Sequence, residues 1–329
     1  MAIPDKLMLR VKALLKERGQ KPLEIASQEL SRQKIAFAPL GEALNYFMKE
    51  VWLDYMHPGL MSLACEAVGG NQEDTMDAGA AFVLLAGGAD IHDDIIDQSV
   101  TKGSRLTVFG KFGKDIAILA GDALLFAGLN MLNEATKALQ EDKKKQVLDS
   151  VRQAFLGITS AEAQETSFRG KEDLTWQEFF NVLKLKVAVA SSTTKIGAIL
   201  GNGSEKEIEM LSHFGETFGI LNTVRDEYID VFEADELRNR AANECLPLPI
   251  LLTFQDPAKK STILQLLKQP TTNEITEKIL DITMDSKETR KFTAEMRALM
   301  EKELQQVSTL QNCLSELSLL LQASLEDII

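Results

Sequence analysis

The sequence predicts an all-α protein, a large helical bundle formed as a single domain over residues 1–329, and three observations predict it. Apolar residues recur at intervals of three and four almost throughout, the spacing that lines one face of a helix. Runs of alternating polar and apolar residues bounded by turn residues are scarce, so strands have little support. Glycine and proline are few, 20 and 8 in 329 residues, and the breakers fall in short clusters between periodic segments rather than in long linkers.

Taken in order, the periodic segments predict helices over residues 5–18, 23–33, 39–52, 58–68 and 73–97. The first two are parted by Gly19, Gln20, Lys21 and Pro22, a chain-breaking combination. Further helices follow over 114–139, 143–167, 175–200 and 205–232. Gly69-Gly70-Asn71, Thr101-Lys102-Gly103-Ser104, Arg169-Gly170-Lys171 and Gly201-Asn202-Gly203-Ser204 read as their connections. Shorter helices are predicted over 249–253, 260–267 and 273–284, with 256–273 the loosest stretch. A last long helix spans 287–325, its stripe running through Phe292, Met296, Met300, Leu304, Val307, Leu310, Leu314, Leu317 and Leu321.

Composition narrows the function. With 45% hydrophobic residues the chain can bury a sizeable core. A formal charge of −13 argues against a broad nucleic-acid surface, which needs clustered Lys and Arg. Cys65, Cys245 and Cys313 are odd in number and widely separated, suggesting neither a disulfide framework nor a zinc site. No secretory leader is read at the N-terminus and no transmembrane segment is expected, the apolar run 116–129 being interrupted by Asp122. A cytoplasmic protein is expected. A phosphate ligand would have to be recruited locally, through divalent metal on carboxylates.

Two acidic segments supply such carboxylates, Asp93-Asp94-Ile95-Ile96-Asp97 and Asp226-Glu227-Tyr228-Ile229-Asp230. On a helix, residues four apart share a face at about 6 Å, so Asp93 with Asp97, and Asp226 with Asp230, can share hard cations. Asp93 follows the apolar run 80–89, so its carboxylate should end a helix over an apolar cavity. Repelling acids there hold raised pKa values unless cations compensate them.

His92-Asp93-Asp94-Ile95-Ile96-Asp97, then Ala117-Ile118-Leu119-Ala120-Gly121-Asp122-Ala123-Leu124-Leu125, then Gly215 and Gly219 before the second acidic segment, resemble the trans-prenyl diphosphate synthases (polyprenyl synthetases), in a divergent, archaeal-looking form. The similarity spans at least residues 50 to 250. It implies a helical bundle of the isoprenoid synthase type, with the two acidic segments facing each other across a central cavity. It also implies three magnesium ions bound together with an allylic diphosphate. Asp93 and Asp97 would hold two of them and Asp226 the third, supported by Asp230, with Asp94 and Glu227 behind.

By the same resemblance Lys186 is a catalytic cation and Lys102, Arg105, Gln164, Arg225 and Arg240 are candidate substrate-binding residues. The implied reaction is condensation of an allylic prenyl diphosphate with isopentenyl diphosphate. Positions four and five residues before the first cluster, where the family limits chain length, hold Ala89 and Gly88, with Leu85 or Leu84 one turn below. Products of twenty carbons or longer are therefore expected. The resemblance implies a homodimer, with a heteromer of two prenyl synthase chains as an alternative.

The chain departs from the family where isopentenyl diphosphate normally binds. The usual lysine and arginine are replaced in Leu53-Asp54-Tyr55-Met56-His57-Pro58, and the usual histidine falls near Ala86. An acid at position 54 is unfavourable for a diphosphate. Three alternatives stay open beside condensation by this chain alone: a partner subunit completes the site, the protein ionises a prenyl diphosphate without a second substrate, as class I terpene synthases and diphosphatases do, or it is a non-enzymatic scaffold.

Overall fold

The computed structural model describes residues 6–171, 173–269, 272–310 and 312–326, and the expectation is met: the chain is all-α, with one two-residue hairpin. The long α1 (Lys6–Arg32) and the short α2 (Ala38–Tyr46) come first. The break foreseen at residues 19–22 does not occur, for α1 runs through Pro22. Pro22 packs beside Gly79, and a Cβ at residue 79 would meet the proline ring at 3.4 Å. The start of the first predicted helix, residue 5, lies outside the described residues.

After α2 the chain tightens into a π-helical turn, Phe47–Val51, rather than continuing as α-helix to residue 52. This turn seats Trp52, whose ring stacks on Phe47 and whose Nε1–H donates to the carbonyl of Val83 at 3.0 Å. Then come α3 (Met56–Ala67), a 3₁₀ turn and α4 (Met76–Ile96), which ends at the first acidic segment with Asp97 as its C-cap.

The predicted breaker at 101–104 is a β-hairpin, β1 (Thr101–Lys102) against β2 (Arg105–Leu106), turning at Gly103 with φ +58°. A short α5 (Val108–Phe112) leads into α6 (Lys114–Ala135). Among the described residues α6, 22 residues long, is the one helix long and apolar enough to cross a membrane by length and composition, a test that a core helix also passes. Its buried stripe, Ala117, Ala120, Gly121, Leu124, Gly128 and Leu132, packs on α4.

The wall opposite α6 is α7 (Glu141–Thr166), followed by α8 (Trp176–Lys186) and α9 (Ala188–Leu200), which break at Val187 where one helix was expected. A Thr175–Glu178 capping box opens α8 and a Ser204–Glu207 box opens α10 (Glu205–Phe232), leaving few orphan N–H groups at either start. The second acidic segment lies near the end of α10. The unexpected α11 (Ala234–Asn243) follows, then α12 (Leu248–Thr253), α13 (Pro257–Leu267) and α14 (Asn273–Met284). The last predicted helix is divided into α15 (Lys287–Val307) and α16 (Leu314–Ala323), with Cys313 in the left-handed region at φ +54°.

Three close contacts position the site. Gly88 of α4 faces α6 so closely that a Cβ there would sit 2.8 Å from the carbonyl oxygen of Gly121. On the other side of the bundle Gly219 of α10 admits Val187, whose Cβ would lie 2.8 Å from any Cβ added at the glycine. Gly215, one turn earlier, faces Ala190 of α9.

Candidate active site

A cavity of about 280 Å³ opens between α4, α7 and the α8–α9 break, lined by Trp52, His57, Ala86, Ala89, Asp90, Asp93, Phe155, Ile158, Glu162, Lys186 and Val189. On α4 its wall is Ala86, Ala89, Asp90 and Asp93, spaced as one helical face. The stripe Leu85, Gly88 and His92 points at α6 instead. Leu85 is buried against Gly128, and His92 Nε2 lies 3.2 Å from the carbonyl oxygen of Ile118. Of the four residues expected to shape or floor the cavity, Ala89 lines it and Leu84 is buried away from it in the core with Leu44 and Phe47. Gly88 and Leu85 do not line it, because their side of α4 is taken up by helix packing.

At the mouth, Asp93, Asp97 and Glu162 bring one carboxylate oxygen each within 4.8 Å of one another. Burial, then Asp93 and Glu165, push Asp97 up to about 6. Burial and Asp93 push Glu162 up to about 7 against the pull of Lys186. Such a group of hard oxygen donors fits a magnesium ion. The cation that meets part of this demand in the structure is Lys186, whose Nζ lies 2.9 Å from Glu162 and also contacts Glu165. Arg169 donates to the backbone carbonyl of Ile96 and to Asp97, at 2.7 and 3.2 Å.

Glu162 escaped the sequence reading, which chose Gln164 two residues on. Gln164 is exposed, because two residues turn a helix by some 200°. The signal was present: Phe155, Ile158, Glu162 and Glu165 fall at intervals of three and four, two apolar residues running into two acids.

Asp94 stands apart from the three-acid group. Its side chain is buried and paired with Lys102 at 3.0 Å, and burial pushes it up to about 7. Lys102, carried on the hairpin, also reaches Asp90 at 2.6 Å, so its charge is spent on α4 rather than offered to a ligand. Arg105 is exposed beside it on β2.

The second segment is organised around an arginine. Asp226 is 60% exposed with Arg225 3.8 Å away, yet the surrounding protein mass, more than Glu227, raises it to about 6 against the pull of Arg225. Asp230 is raised to about 7 by burial and accepts from Arg240 at 2.6 Å. Glu227 accepts from both terminal nitrogens of Arg240 and from the N–H of Leu248. Arg240 Nε donates to the carbonyl of Cys245 and lies 3.3 Å from Glu244. With 5% of its surface exposed, Arg240 braces the acids; it is not a surface cation awaiting a substrate, the role expected of it. Burial, with Asp97, Glu236 and Glu165 adding to it, pushes Glu244 up to about 8 against the pull of Arg240.

Residues 54–284 match the pattern of the family described as polyprenyl synthetase. The chain belongs to that family. It is 31% identical over 182 residues to the short chain isoprenyl diphosphate synthase of Methanothermobacter thermautotrophicus, 55% of each chain. Thus the match spans about half the length of that relative. Against the geranylgeranyl diphosphate synthase of Saccharolobus solfataricus identity is 27% over 72% of this chain and 68% of the other. The solved geranylgeranyl pyrophosphate synthetase of Pyrococcus horikoshii superposes with a TM-score of 0.84 over 97% of this chain and 99% of that one, at 21% identity, which shows the shared fold.

Proposed function

We propose that this polyprenyl synthetase, as a single domain over 1–329, is a magnesium-dependent prenyltransferase that condenses an allylic prenyl diphosphate with isopentenyl diphosphate. The product has twenty carbons or more. One observation carries the reading: three carboxylates converge at the mouth of a cavity whose remaining walls are largely apolar. Neither a scaffold nor a binding module needs acids held at this cost beside an apolar pocket.

Asp93, Asp97 and Glu162 would hold magnesium from one side and Asp226 and Asp230 from the other, with three ions the number the family resemblance implies. Bound by these carboxylates, magnesium would supply the positive charge that makes diphosphate a good leaving group. Lys186, released from Glu162 and Glu165, takes a phosphate oxygen. Ala86, Ala89, Phe155, Ile158 and Val189 receive the prenyl chain and keep water from the allylic cation. Small side chains at Ala86 and Ala89 leave depth for a long chain.

Leu119, Phe126 and Leu129 of α6 are exposed, Phe126 by 74%, which supports pairing of two chains on that face, either two copies of this one or this chain with another prenyl synthase. A cytoplasmic setting goes with this reading. Asp93→Ala and Asp226→Ala test the two metal sides separately. Each lowers turnover by about a hundredfold or more while the helical circular dichroism is kept. Full activity in either variant would remove that side from the mechanism.

A further inference from the structure

A second cavity, also of about 280 Å³, shares no lining residue with the catalytic one. It opens between the chain that follows α7, the chain that joins α11 to α12, and helices α12 and α13. Phe168, Leu174, Leu246, Leu251, Phe254 and Leu264 make most of its wall. The first, second and fourth of these are buried and the others half-buried. Lys171 and Lys268 stand at its edge, both exposed, and the remaining charged groups are Arg240 and Glu244. Those two are already matched: Arg240 by Glu227, Asp230 and Glu244, and Glu244 also by Asn239 Nδ2 at 2.6 Å. Lys171 pairs with Glu178 at 3.1 Å, an exposed contact of the kind that contributes little. Glu178 keeps the backbone N–H and hydroxyl of Thr175 if that lysine turns away.

The walls of this cavity carry the contacts that hold both acidic segments. Between Phe168 and Gly170 sits Arg169, which donates to the carbonyl of Ile96 and to Asp97. Arg240, itself part of the wall, donates to Glu227 and Asp230. A molecule filling the space therefore packs beside one arginine and against the other, while the acids they hold face the catalytic side of the bundle.

We infer that this second cavity is a regulatory site for a phosphate monoester of a single apolar chain. The apolar wall takes the chain, and Lys171 and Lys268 take the phosphate at the edge. A phosphate monoester carries about 1.5 to 2 negative charges at neutral pH and three acceptor oxygens, which suits two lysines better than a singly charged carboxylate does. The chain can come from a prenyl phosphate or from a straight alkyl phosphate. Once filled, the cavity holds Arg169 on Asp97 and Arg240 on Asp230, so occupancy opposes magnesium at those carboxylates, and magnesium in turn weakens the ligand. That consequence rests on the magnesium-dependent reading above, whereas the binding does not.

Isothermal titration of the full chain in chelator, with farnesyl monophosphate, dodecyl phosphate and inorganic phosphate as probes, tests the site without metal or turnover. The two chain-bearing probes bind at least about a hundredfold more tightly than inorganic phosphate, because the chain leaves water. Tighter binding of the farnesyl probe identifies a prenyl source, and equal binding a site for either chain. Leu264→Trp fills the cavity and Lys268→Glu reverses a charge at its exposed edge; each weakens both probes about tenfold or more. Ala89→Phe, which fills the catalytic cavity, leaves their binding within about twofold. No binding by the native chain overturns the site, as does binding lost in Ala89→Phe and kept in Leu264→Trp and Lys268→Glu. In turnover, a saturating probe raises the magnesium concentration for half-maximal rate about fivefold or more in the native chain and not in Leu264→Trp. An unchanged magnesium requirement with the cavity filled overturns the coupling. If the chain shows no turnover at all, the condensation reading fails, and the titration in chelator still decides the site.

Discussion

Replacing Arg240 with methionine separates a brace from a substrate-binding cation. The guanidinium is surrounded by Glu227, Asp230 and Glu244, and its side chain is 6% exposed. Removing one partner from a buried charge network leaves the other charges without compensation and costs about 3–5 kcal/mol. Unfolding entropy is roughly 2.1 cal/mol/K per residue, so for this 329-residue chain the melting temperature falls by about 4–7 °C. The loss is larger at pH 8 than at pH 6, because Asp230 and Glu244, already raised by burial, take up protons in acid and shed the penalty. Differential scanning calorimetry at the two pH values measures it. Arg240→Lys keeps a charge without the planar fork and falls between. A melting temperature within about 1 °C of the native chain, with a raised KM for a diphosphate, would show that Arg240 serves the substrate and that the brace is misread.

Two further outcomes follow from the same geometry. Asp97 at about 6, and Glu162, Asp94 and Asp230 at about 7, hold protons in the folded state that the unfolded chain releases near pH 4, and His57 also keeps its proton more firmly when folded. Stability of the metal-free protein therefore falls as pH rises from 5 to 8, and magnesium restores it at the upper end; thermal melts across that range check the sign, and a metal-free optimum at pH 8 would contradict it. Ala89→Phe fills the cavity wall and shortens the product, whereas Gly88→Ala presses on Gly121 and Leu125 and lowers stability with little change in product length; chromatography of the products with a melting curve distinguishes the two.

The helices were legible because burial on one face imposes the 3.6-residue period, and Asp93 and Asp97 were legible because four residues make one turn. What escaped depends on which surfaces meet. Pro22 reads as a break, but α1 is held continuous by α3 and α4, against which it packs. Val187 reads as helix interior, yet the chain breaks there as it packs against Gly219. The hairpin strands have two residues each, too few to show a period.

The cavity face of α4 could not be told from its packing face in sequence, since Ala89 and Gly88 differ by one residue. Only the position of α6 decides between them. Arg240 carries little mark of burial in its own neighbourhood, because two of the acids that hold it, Glu227 and Asp230, come from α10 and the third, Glu244, from just past the end of α11. Asp54 looked hostile to a diphosphate for a related reason: sequence shows a charge, while the hydrogen bonds that occupy its oxygens and its place outside the cavity lining are a property of the start of α3.

The claim that this cavity elongates a prenyl chain is tested most directly by mass spectrometry of what the purified chain makes from magnesium, isopentenyl diphosphate and farnesyl or geranylgeranyl diphosphate. The account predicts prenyl diphosphates longer than the primer by whole five-carbon units, reaching at least twenty carbons, and none when magnesium is chelated. Release of pyrophosphate with a prenyl alcohol or a cyclic hydrocarbon, and no incorporation of isopentenyl diphosphate, would contradict it.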